Sequence, residues 1–60
     1  MIMAWVAVNM YGEEYIFNAQ PFRGKYLWAC TKRGFQLPQG SIKKLIGRDL
    51  TWDDEPVELK

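Results

Sequence analysis

The chain contains no histidine. That removes the commonest general base and the commonest transition-metal ligand. It contains one cysteine, Cys30, so no disulfide forms within the chain, and nothing in its cysteine usage points to an oxidising compartment. It also lacks a long apolar run. The start, Met1–Val8, is apolar but has neither the basic n-region nor the cleavage site of a signal peptide. It is far shorter than the roughly 20 residues of a membrane span. We read it as a first strand, and expect a cytoplasmic protein that does not engage membranes. Repeats, low-complexity segments and linkers are absent too, so the 60 residues read as a single small domain, 1–60.

Apolar bulk is plentiful. Hydrophobic residues make up 48% and aromatics 15% of the chain, a composition that folds rather than stays disordered. A chain of this size buries only about 60% of the surface its unfolded form exposes. The nine aromatics, each able to bury on the order of 150–250 Å², are its main compensation. A second copy or another protein could complete such a core.

The pattern of the first twenty residues is a hairpin. Trp5–Val8 and Tyr15–Phe17 flank Asn9-Met10-Tyr11-Gly12, which suits a type I turn closed by a left-handed glycine. Asn9 then opposes Glu13, and Ala7, Val6 and Trp5 oppose Tyr15, Ile16 and Phe17. Trp5, Tyr15 and Phe17 share one face, with Val6, Val8 and Ile16 on the other. Gln20–Gly24 reads as a loop and Lys25–Thr31 as a third strand, with Tyr26, Trp28 and Cys30 on one side and Leu27 on the other. Phe35–Leu37 is a short extended piece stopped by Pro38. Ile42, Leu45 and Ile46 fall at helical spacing behind Ser41, a suitable N-cap, and ahead of Gly47, a natural stop. Leu50–Trp52 reads as extended, Asp53–Pro56 as a turn, and Val57–Leu59 as a last short strand that begins at Pro56 or lies at an edge, because Pro56 has no amide proton to donate. The expected fold is mainly β, or α+β if the helix is counted. It is a small antiparallel meander or an SH3-like-sized barrel, with one short helix near 41–47.

No catalytic constellation emerges, and we expect a non-enzyme without metal or cofactor. Cys30 lies between Ala29 and Thr31 in an expected strand, where a thiol behaves as a small hydrophobe. Ser41-Ile42-Lys43-Lys44 matches the Ser-x-x-Lys pattern of penicillin-recognising enzymes, but their partner motifs and larger scaffold are missing. Asp53-Asp54-Glu55 lacks the alternating acids and central glycine of a calcium loop and reads as a solvated turn.

Charge is segregated. Residues 21–48 carry Arg23, Lys25, Lys32, Arg33, Lys43, Lys44 and Arg48 without one acid, while residues 49–60 hold Asp49, Asp53, Asp54, Glu55 and Glu58 against Lys60. Two surfaces follow as candidates. The aromatic excess points to a non-enzymatic binding module acting through a protein partner or a homodimer, with Trp5, Tyr15, Phe17 and Trp28 as contacts unless they form the core. The basic aromatic segment 22–35 is the alternative, a nucleic-acid surface. Arg23, Lys25, Lys32 and Arg33 would meet phosphates while Tyr26 or Phe35 stacks on bases. Arg33-Gly34-Phe35 begins like the RNP1 motif of RNA-recognition domains, but Gln36-Leu37-Pro38 departs from it. The plain reading of the charge split is intramolecular pairing of the basic and acidic segments.

The runs Trp5-Val6-Ala7-Val8, Gly12-Glu13-Glu14-Tyr15-Ile16-Phe17, Leu37–Arg48 and Leu50–Leu59 together resemble short uncharacterised proteins of gut-anaerobe and phage-type genomes. The resemblance spans most of the chain but not 21–36. It implies a compact intracellular protein of mobile-element origin, for which a small host-directed inhibitor is one role, and it carries over no activity and no site residue.

Overall fold

The computed structural model describes residues 4–59. Its elements in chain order are β1 (Ala4–Val8), β2 (Glu14–Phe17), β3 (Phe22–Arg23), β4 (Trp28–Ala29), β5 (Gly34–Leu37), α1 (Ser41–Ile46) and β6 (Val57–Leu59). Four strands form one antiparallel sheet in the order β5-β2-β1-β6, and β3 and β4 pair as a separate two-stranded ribbon. The protein is thus small and mainly β with one short helix. The sheet stays open, with β5 and β6 as its edges, and does not close into an SH3-like barrel. Among the described residues no helix is long and apolar enough to cross a membrane. The Met1–Met3 part of the expected first strand lies outside the described residues.

Asn9 sets the register of the first hairpin. Its backbone N–H donates to the Glu13 carbonyl at 3.1 Å, and its carbonyl accepts from Gly12 N–H at 3.0 Å. Its side-chain oxygen accepts from the N–H groups of Tyr11 and Glu13, both at 3.0 Å, and its amide nitrogen donates to Glu13 Oε1 at 2.8 Å. Asn9 is 2% exposed, yet its hydrogen-bonding groups are occupied, which removes the cost of burying an amide. Gly12 closes the turn at φ 81°, a left-handed conformation that a side chain would strain. The pairs that follow are Ala7 with Tyr15, Val6 with Ile16 and Trp5 with Phe17, the register expected.

That register divides the core by strand alternation. Val6 and Val8 join Ile42 and Leu50 on one face, with Ile16, Leu37, Ile46, Val57 and Leu59 packed around them. Ala7 joins Phe17 and Trp28 on the other, with Trp5, Tyr15, Cys30 and Trp52 around them. The helix covers the first face and the β3–β4 ribbon the second, so the central strand β1 is covered on both sides.

The helix spans Ser41–Ile46 and ends at Gly47, φ 82°, whose N–H bonds the Lys43 carbonyl at 2.8 Å. Its start departs from expectation. The N-cap is Gly40, φ 91°, not Ser41, whose hydroxyl instead donates to the Pro38 carbonyl at 2.6 Å. The capping acceptor comes from another element. The buried Glu14 carboxylate on β2 accepts from the N–H groups of Gly40 and Ile42, each at 2.8 Å. A glycine N-cap has no side chain to offer, and a carboxylate at a helix N-terminus is favoured by the dipole.

The middle of the chain corrects the sequence reading most. Lys25–Thr31 is not one strand. Phe22–Arg23, expected as loop, pairs with Trp28–Ala29, and the intervening turn closes on a Gly24 N–H bond to the Leu27 carbonyl at 2.9 Å. A Cβ on Gly24 would fall 2.5 Å from that carbonyl oxygen, so glycine suits this turn. Cys30 lies just past β4, half-buried, with its thiol 3.5 Å from the Ala19 carbonyl. Leu50–Trp52 is not extended either. Thr51 N–H bonds Asp54 Oδ2 at 2.8 Å and Asp54 N–H returns to the Thr51 carbonyl at 3.1 Å, folding the segment into a turn before β6.

Candidate functional site

The aromatic face does not close completely. A cleft of about 180 Å³ opens on it, lined by Asn9, Tyr15, Phe17, Leu27, Trp28 and Gly34. Each wall has a local cause. Tyr15 and Phe17 stand on alternate positions of β2, with ring centroids 6.1 Å apart and planes 22° from parallel. Trp28 enters from β4, and its indole N–H donates to the Val8 carbonyl at 2.8 Å, which fixes the ring against β1. Gly34 on β5 pairs with Phe17 on β2, and the Phe17 ring lies over it so closely that a Cβ there would fall 2.3 Å from a ring carbon. Leu27 forms the rim and is 52% exposed.

The rim extends. Met10 N–H donates to the Tyr26 carbonyl at 3.0 Å, which ties the β1–β2 turn to the β3–β4 turn. Met10, Tyr11, Tyr26 and Leu27 are all exposed on these two turns. The turn that carries Leu27 to the cleft is thus held to the neighbouring turn by one backbone bond.

Three of the four residues expected to make a protein contact, Tyr15, Phe17 and Trp28, line this cleft. Phe17 and Trp28 are also core, at 5% and 8% exposure, while Trp5 and Tyr15 are half-buried. Leu27 and Gly34 escaped the sequence reading. Strand alternation put Leu27 on the face opposite Trp28, but the turn brings both to one cleft. Gly34 carries no side chain to mark it.

The basic residues divide differently. The Arg23 guanidinium sits 4.5 Å from the ring centroids of both Trp28 and Trp52, whose own rings meet edge to face at 5.4 Å. It donates to the Trp52 carbonyl and lies 3.4 Å from Glu55, forming the one ion pair among the described residues. Here the basic and acidic segments meet, and Arg23 is taken up by the fold. Lys25 lies over the Tyr26 ring at 5.4 Å and Arg33 over the Phe35 ring at 5.6 Å. Tyr26 and Phe35 are both exposed, as are Lys25, Lys32 and Arg33. Phe35 pairs with Ile16, so it sits on the helix side of the sheet, away from the cleft. The six residues expected to contact nucleic acid therefore do not form one surface.

No family model matches the chain, and neither a curated protein nor a solved structure matches it.

Proposed function

We propose that the chain is a non-catalytic binding module that acts through a protein partner or a second copy of itself, with the aromatic cleft and its rim as the recognition surface. The observation that carries this reading is exposed Leu27 at the mouth of the cleft walled by Tyr15, Phe17 and Trp28, on a turn that also exposes Tyr26 and is bonded to exposed Met10. Exposed apolar residues scattered singly need no explanation, but a contiguous patch leading into a concavity marks an interaction site. The absence of catalysis is supported by the cleft's contents. Among the described residues Asn9 is its one side-chain amide, spent on its own turn, and no acid or cation lines it. The lone half-buried cysteine suits a reducing, cytoplasmic setting.

Selection from a displayed library of random peptides tests the proposal. Enriched peptides should share apolar anchors, shift the amide resonances of Leu27, Trp28 and Gly34, and lose affinity about tenfold or more for Leu27→Asp, whose exposed position leaves the fold intact. No enrichment, or enrichment indifferent to Leu27→Asp, sinks it.

The exposed Lys25–Tyr26 and Arg33–Phe35 pairs favour a second reading, single-stranded nucleic acid bound by stacking and phosphate contacts. A salt-sensitive quench of tryptophan fluorescence by mixed-sequence RNA or DNA would raise it above the first, and no quench at low salt would end it.

A further inference from the structure

Resting on the reading of the cleft as a protein-recognition surface, we propose that the partner is taken as an extended acidic strand, which adds to the outer edge of β5 and places one apolar side chain in the cleft.

The two sheet edges are unlike. The Asn9–Glu13 bond sets the alternation of the ladder. From it, Tyr15 and Phe17 bond toward β1, whereas Glu14 and Ile16 bond toward Leu37 and Phe35 on β5. The backbone groups of Gly34 and Gln36 therefore point outward. On β6 the alternation turns Val57 and Leu59 toward β1 and leaves Glu58 outward, behind Pro56, which has no N–H. A proline beside the last strand blunts that edge, while the β5 edge carries no further strand and its Phe35 and Gln36 are exposed.

The open edge adjoins the cleft. Gly34 belongs to both: it lines the cleft, and the Phe17 ring packs over it where a side chain would stand. A strand paired outside β5 would present alternate side chains beside Gly34 and Gln36, on the side of the sheet that carries Tyr15 and Phe17. Main-chain bonds then supply affinity, and the cleft supplies selectivity for every second side chain.

Charge names the chemistry of that strand. Lys32 and Arg33 lead into Gly34 at the start of that edge, and Arg33 lies over the Phe35 ring on the helix side of the sheet. Neither is ion-paired among the described residues. An alternating strand with its apolar side chains toward the cleft turns its acids to the side where Arg33 lies. A second copy paired β5 to β5 would instead bring its own Lys32 and Arg33 against the first pair, and like charges across strands destabilise.

The probe is a synthetic heptapeptide alternating glutamate with valine or leucine. Controls are the same sequence with lysine for glutamate, and a version N-methylated on alternate backbone amides. Amide exchange on the intact chain is the readout. The acidic peptide should protect Gly34 and Gln36. It should bind about tenfold or more tightly than the lysine peptide, an advantage reduced by Arg33→Glu. The N-methylated peptide should not bind. Absence of protection at Gly34 and Gln36 overturns strand addition. If apolar peptides still bind in a Leu27-dependent way without that protection, the cleft reading stands and only this proposal falls. Protection of the same amides when the protein alone is concentrated would make the occupant a second copy and likewise overturn it.

Discussion

The two faces of the four-stranded sheet solve the same problem with different means. One is aliphatic, and a single helix seals it, held in place by a carboxylate from the sheet itself. The other is aromatic and gathers all three tryptophans, but its cover is a ribbon of two-residue strands braced by one arginine between two indole rings. Branched aliphatic side chains interdigitate without directional demands, and at the centre of the first face Val6 and Ile42 are almost wholly buried. Large flat rings with polar edges need particular angles and partners, as the Trp28 indole N–H on the Val8 carbonyl illustrates. Concavities form where such rings cannot tile. The cleft between Tyr15, Phe17 and Trp28 is one such place.

The two faces share β1, so we expect them to unfold together despite their differences. Trp28→Ala should give the largest effect. It removes a buried ring and its hydrogen bond, costing about 3–5 kcal/mol, comparable with the whole stability of a small domain. The Ile42 methyl resonance on the opposite face should collapse along with the fluorescence of Trp5 and Trp52. If Ile42 stays dispersed while the tryptophans unfold, the faces are independent and the shared-strand account breaks.

Glu14→Gln probes the aliphatic face alone. The carboxylate holds two backbone N–H groups, and an amide accepts one while turning a donor toward the other. We expect a loss of about 1–3 kcal/mol. Amide exchange should accelerate across 40–46 first, with little change in tryptophan emission, because the helix opens without the aromatic cover. Equal acceleration on both faces would show that the cap stabilises the whole sheet.

What was legible in the sequence follows the range of the interactions. The Asn9–Gly12 turn, the register beyond it and the 41–46 helix all depend on contacts a few residues apart, and period and turn chemistry carried them. The start of β6 behind Pro56 was legible for the same reason. The helix cap was not, because Glu14 reaches Gly40 and Ile42 from a distant strand. Residues 22–29 depart from expectation although their pairing is local, because strand alternation from Lys25 onward conceals the turn that Gly24 closes on Leu27; the Arg23 contacts with Trp52 and Glu55 lie about thirty positions away and no local pattern announces them. The aromatic walls of the candidate cleft were readable as one face of the hairpin plus Trp28. Its rim at Leu27 depended on a turn that alternation could not foresee, and its floor at Gly34 on the absence of a side chain.

The smallest effects decide what joins the basic and acidic segments. Arg23 offers two candidate ties, stacking on Trp28 and Trp52 and the ion pair with Glu55. The Glu55 side chain is 84% exposed and the contact is long at 3.4 Å, so solvent screens it. Glu55→Gln should therefore change stability by no more than about 0.5 kcal/mol and show little dependence on salt. Arg23→Met keeps much of the aliphatic stem but loses both ring contacts and the bond to the Trp52 carbonyl, for about 1–2 kcal/mol. Urea unfolding of the two variants, followed by tryptophan fluorescence, separates the ties. A Glu55→Gln cost equal to that of Arg23→Met would move the joint from the indole rings to the charges. The aromatic face would then be braced at its salt-sensitive rim rather than through its centre.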